Sequence, residues 1–333
     1  MIWYKENNSD IIISTRIRLA RNIKKYPFPN AMTDAQLKEA ASEIEKTLTE
    51  SNSTLSKTFK VLKLSQLNEA ERGELIEKHL ISPNLGNRAS VMISDDECMS
   101  IMLMEEDHIR LQIIKSGFCL DEAWSIADKV DDVIEENAEY AFHKDFGYLT
   151  ACPTNTGTGL RASVMMHLPA LTMTNNIDRI ISSASNLGIA VRGLYGEGSK
   201  AHGSFYQISN QITLGLTEQE LIEKLKNIVN QIKEHEENTR NKLLNDNKNA
   251  LEDRLWRAYG TLKYARSVSS SEAKSLISDV ILGVNTGIIP KEGTNFLELI
   301  IETEPHVLSR KNQTNLSPEE RDRLRAKTLR SVL

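Results

Sequence analysis

Three consecutive acids, a histidine and an arginine stand together in Met104-Glu105-Glu106-Asp107-His108-Ile109-Arg110, between the apolar runs Ser100-Ile101-Met102-Leu103 and Ile109 to Ile114. Apolar runs of that length read as buried strands, and charges crowded between buried strands are costly without partners. Either ion pairing with arginines from elsewhere or chemistry on a charged substrate would account for them. The chain supplies five arginines at strand ends or in loops: Arg16, Arg18, Arg110, Arg161 and Arg192. Planar forks that always carry charge suit phosphate oxygens, and such clusters serve where charge builds on a transferring phosphoryl group. Each arginine alone is as readily a surface residue; that reading weakens because all five lie beside glycine or acidic turns. Glu105, Glu106, Asp107 and Glu197 supply the opposite need. Carboxylates can bind magnesium, hold a cationic acceptor or take up its proton, or they can form a salt-bridge cluster for the arginines. Cys152 precedes a proline in a polar loop, where a lone cysteine is inert unless nearby cations lower its pKa.

The bulk properties narrow the class. Lysine and arginine total 41 against 46 acids, a net charge of −5, so nothing points to general nucleic-acid binding. The three cysteines, Cys98, Cys119 and Cys152, lack metal-ligand spacing, and an odd, sparse set fits a reducing compartment better than a disulfide scaffold. Met1 to Glu6 has no signal-peptide layout and no run reaches the length of a membrane span. The expectation is a cytoplasmic protein with no membrane partner and no resident metal.

The elements that must position these side chains alternate early and turn helical late. Ile11-Ile12-Ile13 starts a strand that runs into Ser14-Thr15-Arg16-Ile17-Arg18-Leu19-Ala20-Arg21-Asn22; extended, it puts Arg16 and Arg18 on one face. Thr33 to Gln36 is a capping box with Met32 stapling Leu37, opening a helix to about Glu50. Phe59 to Leu64 alternates as a strand, and Leu67 to His79 is a helix with His79 at its end, a common place for a structural histidine. Arg88 to Gly117 reads as a three-strand meander and Leu120 to Glu135 as a helix. The loop Ala151 to Gly159 is rich in glycine and small hydroxyls, so its backbone can approach a ligand; without a Walker lysine it is not a P-loop. Arg161 to Met166 is a strand, Ile177 to Leu187 a helix, Ile189 to Val191 a strand, and Arg192 to Ser199 a second glycine-bearing loop. Gly203 to Ile208 and Gln211 to Leu214 are expected to form a hairpin about Ser209-Asn210. A capping box at Thr217 to Glu220 opens a helix. Glu234 to Asn249 is polar enough for an exposed helical connection, and Ser317-Pro318-Glu319-Glu320 starts a last helix. Strand signal all but ends near residue 238, which sets the expected boundary between domains 1–237 and 238–333.

Ser14 to Arg18, Glu105 to Arg110, Cys152 to Ser163 and Arg192 to Glu197 resemble, in order, four signatures of the phosphagen (guanidino) kinases, and the likeness covers roughly Trp3 to Lys233. It is greatest toward the bacterial protein-arginine kinases, because Arg321-Asp322-Arg323-Leu324-Arg325-Ala326 matches their phosphoarginine-binding RDxxRA motif. The resemblance implies an α+β fold, a large antiparallel sheet flanked by helices and followed by a smaller helical C-terminal domain that dimerises. By position it implies ATP with magnesium, the nucleotide contacted by Ser14, Thr15, Arg16, Ile17, Arg18, His79, Arg110, Arg161, Ala162, Ser163, Val164, Met165, Arg192, Gly193, Leu194, Tyr195, Gly196 and Glu197. Glu106 matches the catalytic carboxylate, Glu197 the second acid and Cys152 the active-site cysteine. Met104 stands where the family usually has asparagine.

The substrate expectation follows from the same likeness. Kinases of free arginine or creatine carry a helical N-terminal domain that helps form the acceptor site; here the first signature begins at Ser14, so the expected acceptor is an arginine on a protein surface. Read as residues alone, Arg321 and Arg325 share the face of a basic helix that is usually just solvated. With the likeness, they are expected to hold a phosphoryl dianion. The implied partners are transcriptional repressors among the protein substrates, a small zinc-binding activator and a Clp-type protease of the stress response. A free-arginine kinase and a non-catalytic phosphoarginine-binding adaptor are the alternatives.

Overall fold

The computed structural model describes residues 2–6, 10–50, 59–193, 202–290, 293–314 and 316–333, with only the backbone of Glu50 and His202. The isoleucine-rich start makes β1 (Ile12–Arg21), in which Arg16 and Arg18 are the two incompletely buried positions. The Thr33 box forms as expected: Thr33 N donates to Gln36 Oε1 at 2.9 Å, Gln36 N donates back to Thr33 Oγ1 at 3.4 Å, and α1 (Asp34–Glu50) follows. After β2 (Phe59–Lys63), α2 (Glu69–Glu77) starts later than the apolar pattern suggests, because Asn68 and Glu71 form a capping box there. It ends at His79, whose φ of 60° puts it in the left-handed region, with Leu80 N donating to Leu75 O across the cap. The expected meander is β3 (Ser90–Ser94), β4 (Met99–Leu103) and β5 (Ile109–Ser116), antiparallel throughout, with Met102 opposite Arg110 and Ser100 opposite Gln112.

The chain continues through α3 (Leu120–Glu135), a small hairpin of β6 (Phe142–His143) and β7 (Gly147–Tyr148), β8 (Leu160–His167), α4 (Pro169–Met173), α5 (Ile177–Asn186), β9 (Ile189–Gly193) and β10 (Phe205–Asn210). Helices follow: α6 (Glu218–Asp246), α7 (Lys248–Tyr264), α8 (Ser270–Asn285), α9 (Phe296–Glu302), α10 (Pro305–Lys311) and α11 (Pro318–Val332). Eight strands form one sheet in the order β2-β3-β4-β5-β1-β8-β10-β9. Large antiparallel sheet, flanking helices and a helical C-terminal part are thus as expected.

One expectation fails and a second, an exposed helical connection from Glu234, holds except at two buried charges. Ser209-Asn210 is not a turn: both residues lie in β10, and Gln211 to Leu214 forms no strand. The Asn210 side chain accepts from Ala162 N at 2.8 Å and donates to Leu160 O at 2.9 Å, so it laces β10 to β8 instead of reversing the chain. Nor is the polar stretch from Glu234 merely an exposed connection. Glu236 is buried, accepting from Ala170 N and Leu171 N at 3.0 Å, and Arg240 spans Glu236 and Asp10. These charges sit inside because each has its partner. The helix α6 passes position 238 without a break.

Two compact units divide the chain: Met1–Trp3, Thr15–Ser163 and Ser209–Lys226 in one, Tyr4–Ser14, Val164–Ile208 and Asn227–Leu333 in the other. In the first, α1 packs on α3 and α3 on β5, while Leu64, Leu80, Leu85, Val91, Ile93 and Met102 make a separate apolar cluster. In the second, Leu255, Leu262, Ile277, Val280, Ala326 and Leu329 join α7, α8 and α11 around one core.

Candidate functional site

Along β1 the alternation that buries Ile17 and Leu19 turns Arg16 and Arg18 to the other face. Arg110 on β5 and Arg161 on β8 belong to the strands on either side. The four guanidiniums feel one another. Burial, then Arg110 and Arg161, together lower the Arg16 pKa to about 10, and burial followed by Arg16, Arg110 and Arg161 lowers that of Arg18 well below the ordinary range. Arg18 Nε is buried with no hydrogen-bond partner among the described residues. Glu105 binds Arg110 at 2.5 Å. Like charges held this near one another are unfavourable in isolation and favourable around an anion.

The three acids are sorted by the turn between β4 and β5. Met104 N donates to His108 O at 3.0 Å and Glu105 N to Asp107 O at 3.2 Å, closing a tight loop with Met104 at φ 61°. Asparagine adopts that conformation at less cost than methionine, which gives a backbone meaning to the unusual residue. Glu105 is committed to Arg110. Asp107 is buried, accepting from Asn22 Nδ2 at 2.6 Å and Ala151 N at 2.7 Å. Glu106 alone is exposed and, among the described residues, has neither ion pair nor hydrogen bond. Desolvation, then Asp107 and Glu105, raise its pKa above 4.5, against the opposing pull of Arg110. A carboxylate that is open, unused and more basic than usual is suited to receiving a proton.

The remaining expected residues fall into three groups. Cys152 is half-buried with Sγ 3.1 Å from Thr154 Oγ1, in a loop where a side chain at Gly157 would collide with the Thr213 carbonyl. The Thr15 hydroxyl donates to Gly117 O at 2.7 Å, Ile17 and Ala162 are buried in the sheet, and Ser163 Oγ donates to Arg16 O at 3.4 Å. His79 offers its carbonyl to Gln112 Nε2 at 2.7 Å; Gln112 is two residues from Arg110 on β5 and shares its face. Ser14, Val164, Met165, Arg192 and Gly193 belong to the second unit, Met165 within its core cluster. Leu194, Tyr195, Gly196 and Glu197 lie outside the described residues. In the tail motif, Arg325 is buried: Nε donates to Thr303 O at 2.8 Å, and one terminal nitrogen reaches Val268 O and Asp322 at 2.9 and 2.5 Å. Arg321, Asp322 and Leu324 are half-buried, Arg323 exposed and Ala326 buried.

Sequence reasoning passed over Asn22, Asp107 as a linker, His108 and Arg21. Arg21 falls on the opposite face of β1 from Arg16 and Arg18. It pairs with Asp131 at 2.7 Å, donates to Thr158 O at 2.9 Å and lies 3.6 Å over the Tyr148 ring. The odd parity of position 21 was the available signal. Among the described residues no group of three or more histidine, cysteine or acidic side chains gathers as a metal site.

The family described as ATP:guanido phosphotransferase, C-terminal catalytic domain, matches residues 39–239, and that described as protein-arginine kinase McsB C-terminal domain matches residues 248–333. A protein-arginine kinase of Brevibacillus brevis is 45% identical over 99% of this chain and 94% of its own. One from Caldanaerobacter subterraneus is 45% identical over 98% of both. Among solved structures, the duplicated taurocyamine kinase of Schistosoma mansoni with transition state analog components aligns with a TM-score of 0.63 and 25% identity, over 70% of this chain and 34% of that one. A lombricine kinase aligns with a TM-score of 0.62 and 24% identity over 71% of this chain and 69% of its own, a likeness of fold.

Proposed function

The chain belongs to the ATP:guanido phosphotransferases and, within them, to the protein-arginine kinases, and from that premise we propose that it transfers the γ-phosphoryl group of ATP to arginine side chains of proteins. The observation that carries the reading is one basic carboxylate, Glu106, uncommitted among the described residues, on the turn that leads into the strand of Arg110, whose charge with those of Arg16 and Arg161 depresses the pKa of Arg18. Arg16, Arg18, Arg110 and Arg161 would surround the phosphate oxygens, with Arg192 as the fifth cation. An arginine acceptor is cationic and a poor nucleophile, with a pKa above about 12. As its nitrogen bonds to the γ-phosphorus and the bond from phosphorus to the leaving ADP oxygen breaks, the proton from that nitrogen passes to Glu106. Glu197 would hold the other acceptor nitrogens, and Cys152 lines the same centre. Positioning and charge stabilisation supply most of the acceleration. Magnesium would enter as an ion carried on the phosphates, where it would add charge neutralisation to that of the arginines.

The likeness supports finer expectations. The product would mark substrates, repressors of transcription among them, for a Clp-type protease under stress; a small zinc-binding protein would activate the kinase. The C-terminal helices would dimerise, and the Arg321 to Ala326 motif would bind phosphoarginine as an allosteric signal. Since Arg325 is spent on carbonyls and Asp322, the ligand-facing cations of that motif are Arg321 and Arg323. No described helix is long and apolar enough to cross a membrane, and a cytoplasmic site of action accords with the reading.

The test offers folded protein and free arginine side by side with magnesium-ATP and reads phosphoarginine by mass spectrometry under conditions that spare the acid-labile N–P bond. Modified protein arginines support the proposal. Modification of free arginine alone makes the protein a phosphagen kinase. Binding of phosphoarginine without ATP turnover makes it an adaptor.

A further inference from the structure

We propose that Asp107 and Asn22 are positioning residues of the phosphotransfer centre, locking the turn that presents Glu106 to the segment that carries Cys152. The inference rests on the reading of Glu106 as proton acceptor. A single oxygen, Asp107 Oδ1, takes both Asn22 Nδ2 at 2.6 Å and Ala151 N at 2.7 Å, and the Asp107 side chain is 4% exposed. Asp107 is the chain neighbour of Glu106, and Ala151 is the chain neighbour of Cys152. The amide of Asn22, one residue past β1, is used at both ends: Oδ1 accepts from His108 N at 2.9 Å, and Nδ2 also donates to Leu149 O at 3.1 Å. His108 fixes the far side of the same turn. Its Nδ1 accepts from Ile23 N at 2.9 Å, which leaves the ring proton on Nε2 for Pro27 O at 2.9 Å.

Three segments distant in sequence are thereby joined by buried hydrogen bonds at one node, and two of the three bear the reactive side chains. The third is the end of β1, the strand of Arg16 and Arg18. Among the described residues Glu106 has no partner of its own to hold it, and its placement follows that of the turn beneath it. Misplacement by about 1 Å costs up to ~10²-fold in rate, and buried donors deprived of their acceptor will shift to find another.

The experiment compares Asp107→Ala, Asp107→Asn and Asn22→Ala in the full chain, measuring kcat on a protein substrate, KM for ATP, and the rate at which iodoacetamide alkylates Cys152. Asp107→Ala and Asn22→Ala are expected to lower kcat about 10- to 100-fold with KM for ATP within about threefold of wild type, and to change the alkylation rate. Asp107→Asn keeps the Oδ1 acceptor and is expected to recover most of kcat. Wild-type kcat in a folded Asp107→Ala or Asn22→Ala overturns the proposal. So does an Asn variant as slow as the Ala variant with Cys152 alkylation unchanged, since charge and not placement would then matter. If Asp107→Ala does not fold, Asn22→Ala and Asp107→Asn decide between the same outcomes. An inactive wild-type protein would count against the proposed function instead, and the alkylation rates would still test the lock.

Discussion

Replacing Glu106 by glutamine changes one carboxylate oxygen for an amide nitrogen and nothing else in volume. In most proteins removing a charge near an arginine would also remove a salt bridge, but here Glu105 makes the bridge to Arg110 and Glu106 makes none among the described residues. The cost to chemistry and the cost to folding therefore separate. Loss of a general base costs ~10²- to 10⁴-fold, or about 3 to 5 kcal/mol of barrier, and should appear in kcat with KM for ATP unchanged. The stability effect has the opposite sign. The folded pKa of Glu106 is raised by burial and by Asp107 and Glu105, so the ionised form is less well off folded than unfolded. Stability is lost as pH rises through that range, and glutamine removes the loss. At neutral pH the variant should melt at the wild-type temperature or slightly above it. In the wild type, kcat should fall with acid through a pKa above the ordinary glutamate value of 4.5. The assay is initial-rate phosphoarginine formation on a folded substrate, with ATP affinity by calorimetry and melting by circular dichroism. Near-wild-type activity, or a rate loss accompanied by lost ATP affinity and a lower melting temperature, would refute the reasoning.

Arg18→Ala should weaken ATP binding roughly 10- to 100-fold, the worth of one or two charge-assisted hydrogen bonds. The ATP-free protein should be no less stable, because the change relieves repulsion within the cluster; thermal shift with and without nucleotide checks both. Met104→Asn should relieve about 1 kcal/mol of left-handed strain yet forfeit about 2 kcal/mol of side-chain burial, Met104 being buried. The net expectation is a loss of about 1 kcal/mol of stability, read as a lower denaturant midpoint at unchanged m, and a gain would show that strain dominates. Arg325→Ala strips partners from two carbonyls and Asp322 and should cost roughly 2 to 4 kcal/mol. Arg323→Ala, at an exposed position, should change stability by less than about 0.5 kcal/mol.

The sequence disclosed whatever obeys a local rule. The capping boxes at Thr33 and Ser317 close as the spacing demands, and the period-two pattern places Arg16 and Arg18 together. The neighbouring Arg21 escaped notice although the same parity assigns it to the opposite face. What local rules cannot reach is a bond whose partners are remote. Asp107 with Ala151 and Asn22 with His108 are buried polar contacts between segments that only the completed sheet brings together. Asn210 misled for a related reason: Ser-Asn is turn chemistry in isolation, yet in β10 the amide finds the edge of β8.

One strand carries both the destabilising and the stabilising halves of this arrangement. Arg16 and Arg18 are held near other cations with a depressed pKa, a state that raises the free energy of the fold until an anion arrives. Three residues beyond Arg18, Arg21 takes up a buried carboxylate, a carbonyl and an aromatic face, contacts that are strongly destabilising to break. Next to it, Asn22 binds the turn of Glu106. The strain of the open face is thus borne by the same ten-residue element that is most firmly tied down on its other face. A cation cluster of this kind need not close around an anion to become favourable; it has only to be prevented from spreading apart beforehand, and Arg21 ties the strand down from its opposite face.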